Sequence, residues 1–322
     1  METTNIANGI PIAEILRAHA KWLQAQIQGR AHEEMQGESL QGRCILDGAT
    51  LNGLNLTGVD LQRAVIRGTT LLDAELSNAK LGKAIIDAVD FQRALLGGSD
   101  FSEARIAESN FESSWMSDAT LADAEIRNTG FRKTNLRNAR FQGTLLEGCR
   151  FPAATLSAAC FNHSRIKLSD FSESDLTDVQ FVRARVESSR FYAAKGQDAN
   201  FSNCLFKNCD FSRADLGRAR FSRADLSGSQ FDRAQLRDAD MRHAQLGGVI
   251  LCRADLTGAR FAGALLQAAD LRGADLANAR EMSSQQLAQA RTDDMTILPN
   301  GSRGPYRRNS GAERAGNRAG ND

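Results

Sequence analysis

The stretch Phe211–Leu236 reads FSRADLGRARFSRADLSGSQFDRAQL and places a Phe or a Leu at every fifth residue, with the two alternating. The same spacing extends from Leu46 to Leu276 through about 47 pentapeptides, and Gly196 is the one centre without an apolar side chain. All 16 phenylalanines lie in this register. A small residue stands two positions before each centre, and the other three positions are mostly polar.

A period of five residues is compatible with neither a regular α-helix nor a regular β-strand. Residues five apart spread around the cylinder of an α-helix, and they point to opposite faces of a β-strand in turn. The chain must therefore turn a corner once per pentapeptide, so that each centre and its small neighbour point inward. This pattern predicts a solenoid.

The alternation of Phe with Leu predicts the number of sides. Coils stack well when like residues lie on like residues, and Phe recurs at intervals of ten. A coil of fifteen residues would place Phe on Leu, whereas a coil of twenty residues places Phe on Phe. We therefore expect four sides per coil, with two facing Phe columns and two Leu columns between them.

The repeated A-[DN]-L-x-x motif, as in Ala214-Asp215-Leu216 and Ala224-Asp225-Leu226, resembles the pentapeptide-repeat family. The resemblance covers about three-quarters of the chain and rests on many consecutive repeats. It implies an all-β solenoid, the right-handed quadrilateral β-helix of that family, with short α-helical caps at both ends.

The two ends of the repeat carry helix signals. Residues 1–40 are expected to form a leader whose amphipathic capping helix begins near Pro11, carries His19 as a packing residue and stops near Gly29. Residues 41–280 form the β-helix. Residues 281–299 are expected to form a C-terminal capping helix opened by Ser283 and Gln286 as a capping box. Residues 300–322 are poor in apolar residues and are predicted to be a disordered tail.

Composition and motifs favour a non-enzymatic protein. The chain of 322 residues has a formal net charge of +1, and no nucleotide-binding, metalloprotease or nucleophile motif occurs in it. Catalytic, cofactor-binding and metal-binding residues are therefore not expected. Four of the six cysteines occupy the small-residue position, and none forms a C-x-x-C pair, which suits reduced packing residues in a bacterial cytoplasm. No signal peptide or membrane span is expected.

Two functions are compatible with the sequence. The first is a scaffold for an unidentified protein partner, with the protein itself a monomer or a weak homodimer. The alternative comes from the family resemblance, which implies a DNA-mimicking modulator of DNA gyrase or topoisomerase. That role needs a strongly negative surface, and the near-balanced charge of residues 41–290 disfavours it. Direct binding to nucleic acid or to a membrane is not expected.

Three outward columns are candidate interaction surfaces. The first contains Leu95 and Trp115, twenty residues apart, and exposes apolar area. The second is a basic stripe, which Asp215 and Asp255 would partly neutralise; it contains Arg213, Arg233 and Arg253. The third is an apolar column over the first coils, open either to a partner or to the leader helix; it contains Ile45, Val65 and Ile85.

Gly196 raises a question about the core. Counting four sides per coil places it opposite Phe206, the only Phe in a Leu column. We expect the Phe206 ring to extend across the core into the space that Gly196 leaves, and the Lys195-Gly196 pair to form a bulge or loop in the wall.

Overall fold

The computed structural model describes residues 6–7, 10–27 and 42–315. The chain divides into two compact units between Phe151 and Pro152. Both units are parallel β-solenoid of the right-handed quadrilateral type, which confirms the predicted fold class. The elements of the first unit are β1 (Ile6–Ala7), β2 (Ile10–Pro11), α1 (Ile12–Ile27), β3 (Ile45–Asp47), β4 (Val65–Arg67), β5 (Ile85–Asp87), β6 (Arg105–Ala107), β7 (Glu125–Arg127) and β8 (Leu145–Glu147). Those of the second unit are β9 (Arg165–Lys167), β10 (Arg185–Glu187), β11 (Leu205–Lys207) and α2 (Ser284–Gln289).

Between Cys44 and Arg280 every coil contains twenty residues and has four sides. Strands β3 and β4 pair in parallel with Leu46 opposite Ile66, and the isolated bridges on the other sides also join residues twenty apart, such as Leu95 with Trp115. The corners fall at the second residue after each apolar centre, which takes a left-handed conformation, as at Asn78 with φ 57°. The predicted count of four sides is therefore correct.

The core consists of stacked columns of like residues. Phe91 stacks on Phe111 with ring centroids 4.7 Å apart and planes 8° apart. Rings of the two facing Phe columns meet edge to face, as Phe161 and Phe171 do at 5.9 Å and 87°. Parallel stacking along a column and edge-to-face contact between columns are both favourable arrangements of aromatic rings.

Most Thr and Cys side chains in the small-residue position find a backbone acceptor inside the core, whereas Ser114 Oγ and Ser164 Oγ in the same position have no hydrogen-bond partner among the described residues. Thr134 Oγ1 donates to the carbonyl oxygen of Phe111 at 2.6 Å, and Cys204 Sγ donates to that of Phe181 at 2.6 Å. The four cysteines in this position are buried, and the other two are half-buried. Buried polar groups are tolerated when they are hydrogen-bonded in this way.

The N-terminal helix α1 closes the first coil of its unit. It begins at Ile12, directly after Pro11, and its described residues end at Ile27, so the predicted stop at Gly29 lies outside the described residues. His19 is buried, and its Nδ1 accepts the backbone N–H of Cys44 at 3.0 Å. Burial lowers the pKa of His19, because a charged imidazole loses hydration there. His19 is thus a packing residue that also satisfies the first backbone donor of the coil.

The C-terminal cap begins with the predicted capping box. Ser283 Oγ accepts from the backbone N–H of Gln286, and the Gln286 side chain accepts from that of Ser283. Leu287 is buried against the last coil, and Gln286 Nε2 donates to the carbonyl oxygens of Phe261 and Ala264 at 2.7 and 2.9 Å. The cap therefore supplies apolar cover and hydrogen-bond donors together.

The segment after α2 differs from the prediction. Ile297 extends the ladder by pairing with Asp275, and the chain then turns back so that Arg303 pairs antiparallel to Ile297. The backbone N–H of Tyr306 donates to Thr292 Oγ1 at 2.8 Å, and Ala312 is buried. Residues 300–315 thus have a defined fold where a disordered tail was predicted, because one aromatic ring and a few backbone bonds anchor an otherwise polar segment; residues 316–322 lie outside the described residues.

Candidate interaction surfaces

Leu95 and Trp115 lie next to each other on one side of two adjacent coils. They form one step of an outward column in the first unit that also contains Asn55, Glu75 and Asn135. Trp115 is 55% exposed and Leu95 is 45% exposed. Large apolar side chains exposed side by side are uncommon on a monomer surface and typical of contact sites.

The orientation of Trp115 is fixed by local contacts. Its Nε1–H donates to Ser117 Oγ at 2.9 Å. A Cβ added to Gly97 in the preceding coil would lie 3.9 Å from Trp115 Cδ1, so the ring lies beside that backbone. The polar edge of the indole is satisfied within the protein, and the exposed area is mainly apolar.

Charged residues lie on the coils before and after this pair. Glu75 precedes Leu95 in the column, and Lys133 and Arg137 flank Asn135 in the coil after Trp115. All three charged side chains are exposed, and none has an ion-pair partner among the residues that the structure describes. The apolar pair therefore has free negative charge on one side along the column and free positive charge on the other.

The three arginines of the basic stripe lie at equivalent corners of successive coils. Arg213, Arg233 and Arg253 occupy successive corners with φ of 60°, 57° and 56°. The guanidinium of Arg213 lies 5.9 Å from the centre of the Tyr192 ring, and Arg233 lies 3.6 Å from Asp232.

The predicted neutralisers of this stripe have other partners. Asp255 accepts from Arg237 Nε, and Asp215 accepts from Gln197 Nε2 at 2.7 Å. Within the described part of the chain, Arg213 and Arg253 have no carboxylate within 4 Å. The stripe carries exposed charge, and Arg253 also lines a hollow of about 590 Å³ whose other lining residues are Asp232, Cys252, Arg272, Gly273, Asp293 and Met295.

The column of Ile45, Val65 and Ile85 offers little exposed area. These residues pair in register in β3, β4 and β5, where Val65 is buried and the other two are half-buried. Ile45 lines a hollow of about 440 Å³ between the N-terminal segment and the first coil; its other lining residues are Ile10, Glu14, Ile15, Ala18, Gly42 and Arg43. The leader helix therefore lies beside the start of this column.

The described residues contain no group of three or more His, Cys, Asp and Glu side chains placed to hold a metal ion. Burial raises the pKa of the Cys44, Cys149, Cys204 and Cys209 thiols to about 12, which keeps them protonated and poor nucleophiles. Across residues 10–27 and 42–315, no helix has the length and apolar character needed to span a bilayer.

Sequence models of pentapeptide repeats match the coils described above. The model described as pentapeptide repeats in eight copies matches residues 44–82, 84–123, 116–152, 214–258 and 254–280, and the pentapeptide repeat region model matches residues 144–221. The chain belongs to the pentapeptide-repeat family. No curated protein sequence matches the chain closely enough to narrow this assignment.

Solved structures of pentapeptide-repeat proteins are similar to parts of this chain. HetL from the cyanobacterium Nostoc sp. strain PCC 7120, described as involved in the regulation of heterocyst differentiation, is 23% identical; the match covers 86% of this chain and 97% of HetL, with a TM-score of 0.32. QnrB1, a plasmid-mediated fluoroquinolone resistance protein, is 19% identical over 60% of this chain and 84% of QnrB1, with a TM-score of 0.27. A protein of the Arabidopsis thaliana thylakoid lumen is 23% identical over 29% of this chain and 66% of its own length, with a TM-score of 0.29.

Sequence reasoning placed Leu95 and Trp115 together but overlooked the charges around them. Glu75, Lys133 and Arg137 carry no motif, and each is an ordinary polar residue of the repeat. Counting in steps of twenty along the Leu95 column reaches Glu75 and Asn135, and Lys133 and Arg137 stand two residues before and after Asn135.

Proposed function

We propose that this pentapeptide-repeat protein is a non-enzymatic scaffold that binds a protein partner through the surface centred on Leu95 and Trp115. The observation that carries the proposal is the exposure of both side chains, 45% and 55%, on adjacent coils. Tryptophan is among the residues enriched at the energetic centre of protein interfaces, and the exposed leucine beside it adds apolar area to the contact.

The backbone under this surface supports a preorganised contact. The N–H of Leu95 donates to the carbonyl oxygen of Ala74 at 2.9 Å, and the N–H of Leu96 donates to that of Trp115 at 2.7 Å. Both Cα positions are therefore held in a continuous ladder, and little backbone entropy would be lost on binding. Preorganisation of this kind raises affinity without adding contacts.

The charge pattern supports a scaffold over a DNA mimic. The formal net charge is +1, and many carboxylates are paired with arginines of neighbouring coils, as Asp73 is with Arg93 and Asp198 is with Arg218. A DNA mimic is strongly negative and is attracted over a long range to a basic DNA-binding groove. A surface with little net charge lacks that attraction. The burial of four of the six cysteines as small packing residues supports a reducing compartment such as the cytoplasm.

A site-specific photo-cross-linker tests the contact surface. A benzophenone amino acid is placed at position 115 and, as the control, at position 265, where Leu265 has a similar exposure of 48%. We expect irradiation in the native host extract to give a discrete protein adduct from position 115 and none from position 265. Trp115→Ala and Leu95→Ala should each weaken binding of the purified adduct partner at least about tenfold, while Leu265→Ala should not. Equal labelling from both positions, or none from position 115, would remove the basis of the proposal.

A further inference from the structure

The surface around Leu95 and Trp115 is complementary to itself. Along the column the order is Glu75, Leu95, Trp115 and Asn135, with Lys133 and Arg137 on either side of Asn135. If the column of a second copy runs in the opposite direction against this one, Leu95 of each copy lies opposite Trp115 of the other, and Glu75 lies opposite Asn135. A carboxylate then lies between two cations, and the two apolar residues cover each other.

Two symmetric arrangements can bring this face of one copy onto the same face of another. A two-fold axis along the coil axis aligns the copies in parallel, so that Glu75 meets Glu75 and Lys133 meets Arg137. A two-fold axis along the strand direction aligns them antiparallel and gives the pairing just described. Like charges placed opposite each other are unfavourable at an interface, whereas opposite charges fix its register. The charges therefore favour the antiparallel arrangement.

We propose that the partner of this surface is a second copy of the same chain, bound antiparallel with Glu75 of each copy between Lys133 and Arg137 of the other. This inference rests on the proposed function, because it uses the same Leu95–Trp115 contact. Two copies of every contact form at once, since the interface is isologous. The three charges have no ion-pair partner among the described residues of their own chain and are free to form these contacts.

The dimer is expected to be weak and sensitive to salt. Four coils at the spacing of hydrogen-bonded strands extend only about 19 Å along the column, so the central contact is smaller than a standard interface. Dissociation in the micromolar range follows from such a size. Screening of the exposed charges should weaken the dimer as ionic strength rises.

Charge exchange tests the arrangement with the full-length chain. Sedimentation equilibrium over a range of concentrations measures the dissociation constant of the wild type, of Glu75→Arg and of the double variant Lys133→Glu/Arg137→Glu. Each variant alone should dissociate at least about tenfold more readily, because its dimer places like charges together twice. An equimolar mixture of the two should recover dimers, since each Arg at position 75 then meets two carboxylates. Trp115→Ala should abolish association, and Arg223→Glu, an exposed reversal on the second unit, should leave it unchanged.

The outcomes separate this inference from the function on which it rests. A wild type that is monomeric at all concentrations overturns the second copy as partner, and the proposed function still holds if position 115 cross-links to a different protein. A dimer that survives Trp115→Ala, or variants that fail to recover on mixing, overturns the antiparallel arrangement. Circular dichroism of each variant checks that the fold is retained, which is expected because all of the changed side chains are exposed.

Discussion

Two neighbouring parts of the core in the second unit differ in how their phenylalanine rings stack. In the regular part, Phe161 stacks on Phe181 at 4.7 Å with planes 13° apart, and Phe171 stacks on Phe191 at 5.0 Å and 2°. In the next coil one of the two columns loses this alignment, since Phe181 and Phe201 are tilted by 39°, whereas Phe191 and Phe211 still stack at 4.5 Å and 7°. The change coincides with a coil that has Gly196 at one centre and with Phe206 in a Leu column.

The structure corrects the expected compensation between these two residues. A Cβ added to Gly196 would lie 2.9 Å from Leu216 Cδ2, so the residue directly above it in the next coil fills the space. Phe206 instead makes edge-to-face contacts with Phe191, Phe201 and Phe211 at 5.9, 5.5 and 5.1 Å.

The wall beside Gly196 is also regular. Lys195 pairs with Asp175 below and Asp215 above, and the N–H of Gly196 donates to the carbonyl oxygen of Asp215 at 2.7 Å. The expected bulge is therefore absent at Lys195-Gly196. The comparison shows that the space left by Gly196 is filled by Leu216, the next residue along the same column. The expected compensation by Phe206 from across the core does not occur.

Truncation of Leu216 should show the largest effect. Leu216→Ala would leave a cavity that merges with the space over Gly196, whereas Leu256→Ala in the same column has Leu236 and Leu276 as neighbours. Both leucines are buried. We expect a loss of about 4–5 kcal/mol for Leu216→Ala and about 3 kcal/mol for Leu256→Ala. Denaturant unfolding of the two variants measures the difference, and equal losses would mean that Leu216 is not the residue that fills the space.

The same residues show what the sequence can and cannot predict. The period of five specifies which residues point inward, and the alternation of Phe with Leu specifies four sides, because both follow from spacing alone. The lean of Leu216 toward Gly196 depends on a rotamer chosen by several neighbours, which spacing does not encode. The pairing of Asp255 with Arg237 joins residues 18 apart and so escapes a search in steps of twenty. Tyr306 lies outside the repeat, where only composition was available.

The ionisation of the Cys204 thiol can show whether water reaches the core around Gly196 and Phe206 more easily than it reaches the regular coils. Burial raises its pKa to about 12, as it does for Cys149 in a regular coil of the first unit. A cysteine in an unfolded chain has a pKa of about 8.5, so the folded value is the higher one. The stabilisation from each buried thiol is therefore complete below about pH 8.5 and is lost as the pH rises toward 12.

Comparing the variants at two pH values measures this loss. The free energy of unfolding is measured for wild type, Cys204→Ala and Cys149→Ala at pH 7 and pH 9. The loss caused by each substitution should be about 1 kcal/mol smaller at pH 9, because the variant has no thiol to ionise in the unfolded state. The same change at both positions is expected. A change at Cys149 without one at Cys204 would show that water reaches the irregular part of the core.

The smallest effect is expected at Gly196 itself. Gly196→Ala introduces a methyl group 2.9 Å from Leu216 Cδ2, which is the far end of a flexible side chain and can shift at modest cost. Replacing Gly also restricts the unfolded chain, which stabilises the fold by about 0.4–1 kcal/mol where the backbone is compatible, and Gly196 is not in the left-handed region. The two contributions oppose each other, so the net loss should stay below about 1 kcal/mol.

Gly217→Ala is the matched control, because its new Cβ would meet nothing closer than 3.6 Å, and it should be neutral or slightly stabilising. In the Leu216→Ala background the clash is gone, and Gly196→Ala should then stabilise the protein. A double-mutant cycle between positions 196 and 216 measures this reversal of sign, and simple additivity would show that the two residues do not share one space.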